Sequence, residues 1–391
     1  MELNYDTVIA GCGVGGLFTA LHLPKTEKIL MLSKEDLESC DSMLAQGGIC
    51  VERDENDYDS FFEDTMKAGH YENRKESVDL MIRSSRHVID QLIDYGVDFN
   101  RNPDGSLAYT REGAHAKPRI LYHADLTGKE ITTTLQNVVK KLDNVEIMEY
   151  TTMTDILVED GVCTGILAVD KDGRELTIHA KDTVMATGGI GGLYEHSTNF
   201  PCLTGDALEI SRKHGVELEH LDYVQIHPTS LYTGKPGRSF LISESTRGEG
   251  AILINAKGER FVDELLPRDV VSKAIFEQME KEGSKFVRLS FEKIPEEEIR
   301  GHFKNIYATC LAEGYDITRE PIPVVPAQHY FMGGVHVDSN SQTTMAHLYA
   351  VGETSCNGVH GKNRLASNSL LESLVFAERA AAHIVEERKG N

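Results

Sequence analysis

The chain is short of positive charge and of paired cysteines, and each shortage argues against a class of function. Its 40 Lys and Arg residues stand against 62 Asp and Glu, a formal net charge of −22. A field of that sign repels phosphate, so general binding to nucleic acid or to an anionic membrane surface is not expected. Any anionic ligand must meet a local cluster of Arg or His. The seven cysteines, at positions 12, 40, 50, 163, 202, 310 and 356, form no Cys-x-x-Cys pair and no zinc-like or iron–sulfur-like spacing. They read as reduced thiols, and no metal site is expected. No run approaches the roughly eighteen apolar residues of a membrane-spanning helix, and the first residues lack the basic and apolar regions of a secretory leader. The expectation is a cytoplasmic protein that does not enter a membrane.

At 391 residues the chain exceeds one small core, and two domains, one inserted into the other, are expected. It opens with "YDTVIAGCGVGGLFTALHL": a buried strand over residues 5–10, a glycine turn, and a helix over residues 14–23. A second strand, "KILMLS", follows. This βαβ start carries Gly-x-Gly-x-x-Gly at Gly11, Gly13 and Gly16, with Val14 and Gly15 opening the helix. Such glycines allow a tight turn, close approach of backbone to a pyrophosphate, and close packing of helix on strand. No clean acid follows about 20 residues on for a ribose hydroxyl. In "SKED", Ser33 at the strand end is the favoured contact and Glu35 reads as solvated surface.

Residues 72–95 have helical apolar spacing and stop at Gly96, with His87 read as a surface histidine. Another helix starts near Gly128. Residues 155–189 alternate, with Asp160-Gly161 and Asp172-Gly173 as hairpin turns, and describe a β-meander ending in "TVMATGG". From about Leu221 to His329 the chain reads as long loops rich in His, Arg and Gly. "HLYAVGE" (347–353) is again a buried strand, and "SLLESLVFAERAAAHIVEER" a closing amphipathic helix. Neither internal repeats nor low-complexity segments are present. The division implied is residues 1–222 as the first part of one domain, 223–329 as an inserted capping domain, and 330–391 as the return.

Three segments share a character: the turn at 11–16, the strand end Ala186-Thr187-Gly188-Gly189, and "AVGE" with Gly352 and Glu353. Together they describe a dinucleotide lying across one domain with its far end approached late in the chain, for which FAD fits better than NAD. The fold class expected is α/β: a Rossmann-like FAD-binding domain with a β-meander and an inserted α+β capping domain.

Longer motifs carry a resemblance over nearly the whole chain. "MLAQGGI" (43–49), "TREGAHAKPRILYHADLTGKEITTTL" (110–135), "HPTSL" (227–231), "ESTRGEGAILINAKGERFVDELLPRDVVSKAI" (244–275), "PAQHYFMGGVHVD" (326–338) and "AVGETSCNGVHGKNRLASNSLLESLVFAERAA" (350–381) resemble the aspartate-oxidising branch of the fumarate reductase and succinate dehydrogenase flavoprotein family. The resemblance implies two-electron oxidation of L-aspartate to iminoaspartate on FAD, with dioxygen (giving hydrogen peroxide) or fumarate as reoxidant. Iminoaspartate is the first intermediate of quinolinate and NAD synthesis, so the family also implies quinolinate synthase as a partner.

For the cofactor, the resemblance adds Lys34, Ser42, Ala45 and Asp206, lays Gln46, Gly47 and Gly48 along the isoalloxazine, and makes Glu353 the ribityl-side acid. It also assigns to the flavin Arg364, Ser367 and the start of the closing helix, at Asn368, Ser369, Leu370 and Leu371. That helix end would favour the reduced flavin anion by about 0.3–1 kcal/mol. For substrate it implies Arg268 and Arg364 as the arginines that fix two carboxylates, a task suited to planar guanidinium forks. His227, His329, Ser243, Glu244 and Gln225 match further substrate-contacting positions. Pro228 biases His227 toward an extended backbone, suiting a loop that aims its ring into a cleft. Glu112 matches a glutamate near the substrate amine. Arg247 and Arg260 read instead as structural salt bridges.

Departures are few. Asp41 stands where succinate dehydrogenases carry the histidine that bonds FAD covalently, so noncovalent FAD is expected. Ala114, Cys12 and Gln328 differ from the commoner choices without removing an evident charge. The further C-terminal helical domain usual in the family does not follow the closing helix, and either a naturally short form or a shortened chain is expected. The alternative activity is that of a soluble fumarate reductase-like dicarboxylate oxidoreductase, and a third is a non-catalytic flavoprotein module.

Overall fold

The computed structural model describes residues 1–235 and 237–390. Strand β1 (Glu2–Ala10) runs into helix α1 (Val14–His22) and strand β2 (Ile29–Leu32), the βαβ start expected. Helix α2 (Tyr58–Ala68) precedes α3 (Lys75–Tyr95), which ends where Gly96 takes a left-handed φ of 103°. Helix α4 (Thr127–Val139) and strand β3 (Val145–Met148) lead to the meander β4 (Thr152–Glu159), β5 (Val162–Val169) and β6 (Glu175–Met185). The β4–β5 hairpin turns at Asp160 and Gly161, both at positive φ, as a two-residue primed turn requires.

These strands form one sheet in the order β3-β2-β1-β6-β5-β4, with β1 parallel to both β2 and β6. A late strand, Leu348–Ala350, pairs in parallel with the end of β6, from Thr183 to Met185. The sheet is buried on both faces, which explains continuous apolar runs such as "TVIA" and "ILML". Ile9, Met31, Val184 and Tyr349 pack toward the helices, whereas Val8, Ala10, Leu30, Met185 and Leu348 pack on the opposite side.

The expectation of long loops between Leu221 and His329 is overturned. This stretch holds strands β7 (Val224–Leu231), β8 (Ile252–Ile254), β9 (Val287–Ser290) and β10 (Ile322–Phe331), an antiparallel sheet in the order β7-β10-β9-β8. With them fold a short helix α5 (Glu244–Gly248), the longer α6 (Arg268–Glu282), and two further helices over Glu296–Gly301 and Lys304–Ala312. A separate apolar core, drawn from residues 231–324, fills this unit. Strand β7 hid because its buried face is polar. Thr229 Oγ1 donates to the Ile242 carbonyl at 2.9 Å and Ser230 Oγ to that of Val325 at 2.7 Å, so burial is satisfied by hydrogen bonds rather than by alternating hydrophobes. His227 therefore stands on a strand, not a loop. Helix α7 (Asn368–Gly390) closes the chain against α1 and α3. On α3, His87 is exposed, with Nε2 3.1 Å from a Glu378 oxygen.

One buried ion cluster fixes the segment before α4. Arg119, wholly buried, donates to Asp57 at 2.9 and 3.2 Å and to Asp64 at 2.6 Å, tying residues 111–119 to the start of α2. Burial raises the Asp57 carboxyl, but hydrogen bonds and charge from Arg119 outweigh it, and its pKa lies below the ordinary value. A depressed carboxyl contributes stability above the unfolded pKa and loses it as pH falls through the folded one. Arg119→Met is expected to cost about 3–5 kcal/mol, because it strands two carboxylates. Urea unfolding measures this; a loss below about 1 kcal/mol would show that water already screens the cluster.

Candidate active site

A cleft of about 1600 Å³, open mouth included, runs from the β1–α1 turn, across the start of α7, to the face of the β7–β10 sheet. At its first end Gly11 has φ +124°, and a Cβ built there would lie 1.9 Å from the Ala186 carbonyl oxygen. Gly16 would similarly meet the Gly11 carbonyl at 2.1 Å, so its role is to let helix and strand close up; it does not line the cleft. Gly13 caps α1 without a side-chain bond, and the Val14 N–H reaches Ser42 Oγ at 3.1 Å. The first-turn amides of α1 have no intrahelical acceptors, and the helix dipole adds positive potential at the same point, which suits a pyrophosphate. Ser33 lines this end, and Lys34 pairs with Asp206 at 2.8 Å beside it. Thr151, Thr152 and Met153, which carry no motif, line it as well.

Mid-cleft, Ala45, Gln46, Gly47 and Gly48 form one wall and Ala186, Thr187 and Gly188 another. The Gln46 Oε1 is buried without a partner. Gly188 donates to Thr354 Oγ1 at 2.9 Å, and a Cβ at Gly189 would lie 2.3 Å from Glu353 Oε1. Glu353 also accepts the Phe331 N–H at 2.8 Å. Burial, then the nearby Asp41, pushes its pKa up to about 8, and burial pushes that of Asp41 up to about 7. Val351 and Gly352 line the cleft, as do Ser367, Ser369 and Leu370 at the start of α7. Asn368 and Leu371 do not: Asn368 donates to Thr65 Oγ1 at 3.2 Å and Leu371 packs in the core.

The far end gathers charge. Arg268, first residue of α6, donates through Nε to Glu244 at 2.5 Å and through Nη1 to Gln225 Oε1 at 2.8 Å. Gln225 lies behind the cleft wall and donates in turn to the Arg364 carbonyl at 2.8 Å, so it links the two arginines without facing the cavity. Arg364 lies over the Tyr330 ring at 4.5 Å and donates to Ser369 Oγ at 3.2 Å, while its Nε is buried and unpartnered. Burial, then Arg268, lowers its pKa to about 10. Ser243 caps α5 and sets Glu244 in that helix's first turn. Burial raises the Glu244 carboxyl, but Arg268 and Arg247 more than offset it and hold its pKa below the usual value. Arg247, read from sequence as a structural ion pair, is wholly buried and 3.6 Å from Glu244, inside this same charge network.

Facing these groups, His227 and His329 stand edge to face with ring centroids 5.0 Å apart. The Nδ1 of His227 is held by the Thr229 backbone at 3.1 Å, leaving its buried Nε2 without a partner. His329 shares a 2.6 Å hydrogen bond with Thr198 Oγ1. Glu112 completes the ring: Ser367 Oγ donates to it at 2.5 Å, and its Oε1 lies where a Cβ on Gly47 would fall, 2.2 Å away. Burial and the neighbouring Glu244 raise its pKa. Leu241, Thr198 and Asn199 line the region too, though no pattern in the sequence singled them out, and so does Tyr330 of the 326–338 motif.

The glycine cradle, the open helix end and the orphaned Gln46, His227 and Arg364 atoms fit a long, partly anionic ligand such as FAD. Among the described residues, Glu217, Glu219 and His336 form one cluster of carboxylate and imidazole groups, and Glu249, Glu298 and His302 another. Glu219 is paired with Arg74, and His302 with Glu249.

Fold and cleft together are those of a dinucleotide-binding flavoprotein. The model of the FAD binding domain family matches residues 6–370. An L-aspartate oxidase of Clostridium perfringens is 50% identical over 98% of this chain and 87% of its own length, and one of Clostridium acetobutylicum is 49% identical over 98% and 88%. The quinol fumarate reductase FrdA of E. coli superposes with a TM-score of 0.93 at 32% identity, over 100% of this chain and 71% of that one. The chain belongs to the FAD-binding domain family and, within it, to the family of the L-aspartate oxidases.

Burial, and then the field of Arg268, pushes the pKa of both His227 and His329 well below 6.5. Both imidazoles are therefore neutral in the folded protein at neutral pH. A histidine with a depressed folded pKa contributes stability above its unfolded pKa and loses it as pH falls below that point. Their ring ¹⁵N resonances are expected not to titrate between about pH 6 and 8; a midpoint inside that range would contradict the shielding.

Proposed function

We propose that this chain oxidises L-aspartate to iminoaspartate, with FAD held noncovalently between the β1–α1 turn and α7. The observation that carries the reading is the convergence of Arg268 and Arg364 with Glu112 at one end of the FAD cleft. Membership of the L-aspartate oxidase family supports it. When bound, FAD supplies the two-electron acceptor for the substrate Cα–H bond and passes the electrons to dioxygen, giving hydrogen peroxide, or to fumarate. Asp41 offers no ring nitrogen for a covalent bond to it.

The protein's own part is orientation and proton handling. Each substrate carboxylate placed near a guanidinium gains roughly 4 kcal/mol at about 4 Å and an effective dielectric near 20, before desolvation is subtracted. Arg268 and Arg364 thus fix the two ends of a dicarboxylate. His227 and His329, neutral, contribute hydrogen bonds without adding to the local charge. Cα–H cleavage is easy only when the amine is neutral and its lone pair can follow. Glu112, whose raised pKa makes it a stronger base than an exposed carboxylate, is the group that takes the ammonium proton. A guanidinium is a poor base; Arg268 orients aspartate and, when fumarate is the oxidant, helps deliver a proton to it. Residues 223–329 act as the capping domain over this site, with residues 1–222 and 330–391 as the FAD-binding domain.

The structural likeness to a fumarate reductase favours a second reading, a soluble dicarboxylate reductase without aspartate activity. Among the described residues no helix is long and apolar enough to cross a membrane. Quinolinate synthase as the enzyme that takes the product, and the cytoplasm as the compartment, belong to the same proposal.

Anaerobic L-aspartate is expected to bleach the visible bands of the FAD-loaded protein, while D-aspartate and succinate leave them unchanged; bound flavin untouched by L-aspartate but reoxidised by fumarate after chemical reduction would select the second reading. Glu112→Gln is expected to lower aspartate oxidation by about 10²-fold or more and fumarate reduction far less. Equal losses in both directions would remove Glu112 from the amine.

A further inference from the structure

FAD lying along the first cleft would occupy most of its length, so a small substrate needs a separate way to Arg268 and Arg364. A second cleft, about 810 Å³ with its mouth, opens on the seam between the two structural units. One side is α2 and the loop Arg111–Ala116; the other is Leu265–Pro267, just ahead of Arg268. Glu112 lines both clefts, so the loop that carries it is the wall between them. That wall is thin: Gly113 has no side chain, and a Cβ there would lie 2.4 Å from Glu244 Oε1. Among the described residues, the loop is held across the seam by one long backbone bond, Ala114 N–H to the Leu265 carbonyl at 3.3 Å. An exposed His70–Asp269 contact of 3.1 Å stands close by in sequence to both rims.

The charge at this second mouth runs against that of the molecule. Lys67 and Arg111 are exposed, and among the described residues neither has an ion-pair or side-chain hydrogen-bond partner. The one acid in the outer lining, Asp64, is committed to Arg119 at 2.6 Å and to the Ala116 N–H at 2.8 Å. Two free cations thus mark the mouth of a cleft that ends at Glu112, on a protein with a formal net charge of −22.

We propose that the seam cleft is the entry for the anionic dicarboxylate, with Lys67 and Arg111 as an outer pair that gathers it from solvent. The inference rests on the dicarboxylate reading above. Neither residue touches the reacting atoms; they act on the rate of arrival, which in a protein of opposite overall sign depends on such local focusing.

The test uses the FAD-loaded protein, reduced anaerobically, and follows flavin reoxidation by stopped flow. With Lys67→Gln and Arg111→Gln combined, the second-order rate constant with fumarate is expected to fall about tenfold at low ionic strength. The gap should close as salt screens the charges. The limiting rate at saturating fumarate and reoxidation by dioxygen, which is neutral, should stay at native values. The charge-conserving pair Lys67→Arg and Arg111→Lys should react like the native protein. An unchanged fumarate rate constant at low salt, or an equal loss in the charge-conserving pair, would overturn the proposal. Failure of the native protein to react with any dicarboxylate would overturn the underlying reading, and is seen before a variant is made.

Discussion

Three guanidinium groups held together out of water are the constraint on which this architecture turns. Arg247, Arg268 and Arg364 are all buried, and among the described residues only Glu244 forms an ion pair with any of them, at 3.6 Å from Arg247 and 2.5 Å from Arg268. Arg247 Nε and Nη2 and Arg364 Nε have no hydrogen-bond partner among the described residues. Burying uncompensated positive charge is costly, and the cost appears in every neighbour. Burial first, and then the field of Arg268, lowers the pKa of Arg364 and keeps two histidines neutral, while Arg268 and Arg247 outweigh burial at Glu244 and hold it ionised. A site in that condition is preorganised for an anion with two charged ends, which would offset the excess directly.

The scaffold supplies the positions. His227 and His329 lie on paired strands, where Ile226 faces Gln328 and His227 faces Ala327. The register shifts between Gln225 and Ile226, leaving His329 as the extra residue of the facing strand, and the two rings stand edge to face. Arg268 follows Pro267 into the first turn of α6, and Pro at a helix start sets that entry without sacrificing a hydrogen bond. Gln225 then couples the Arg268 side chain to the Arg364 backbone, so each structural unit contributes one arginine and a single amide spans the gap. Moving either unit would alter the spacing of the two guanidinium groups.

What could be read in the sequence was what repeats or punctuates. The βαβ start, the hairpin at Asp160-Gly161, the stop at Gly96 and the closing helix all follow from periodicity and glycine chemistry. The sheet of β7 to β10 escaped, because "QIHPTSL" buries hydroxyls and an imidazole through hydrogen bonds and so carries no period-2 hydrophobic signal. Gln46 to Gly48 and the arginines of the cleft were legible only through long motifs; charge counts alone could not separate Arg268 from Arg247. Arg247 does form the ion pair expected of it, and its partner is the carboxylate that also holds Arg268. Thr151 to Met153 and Leu241 reach the cleft by tertiary placement, which no local pattern encodes.

The position of Glu112 shows how far from the chemistry its control extends. Arg119 has only donors, so its 3.1 Å contact with His115 makes Nδ1 of that ring the acceptor. The proton must then sit on Nε2, which donates to the Ala366 carbonyl at 3.0 Å. Burial, then Arg119, depresses the His115 pKa to about 4, so this neutral tautomer is the form present at neutral pH. The next residue, Ser367, adopts a left-handed φ of 61° and donates its hydroxyl to Glu112. The ion cluster thus fixes a histidine that holds the Ala366 carbonyl, and the adjoining Ser367 in turn donates to the carboxylate that would handle the amine proton. These groups come from residues 57–64, 112–119 and 366–367, three stretches that the fold alone brings together.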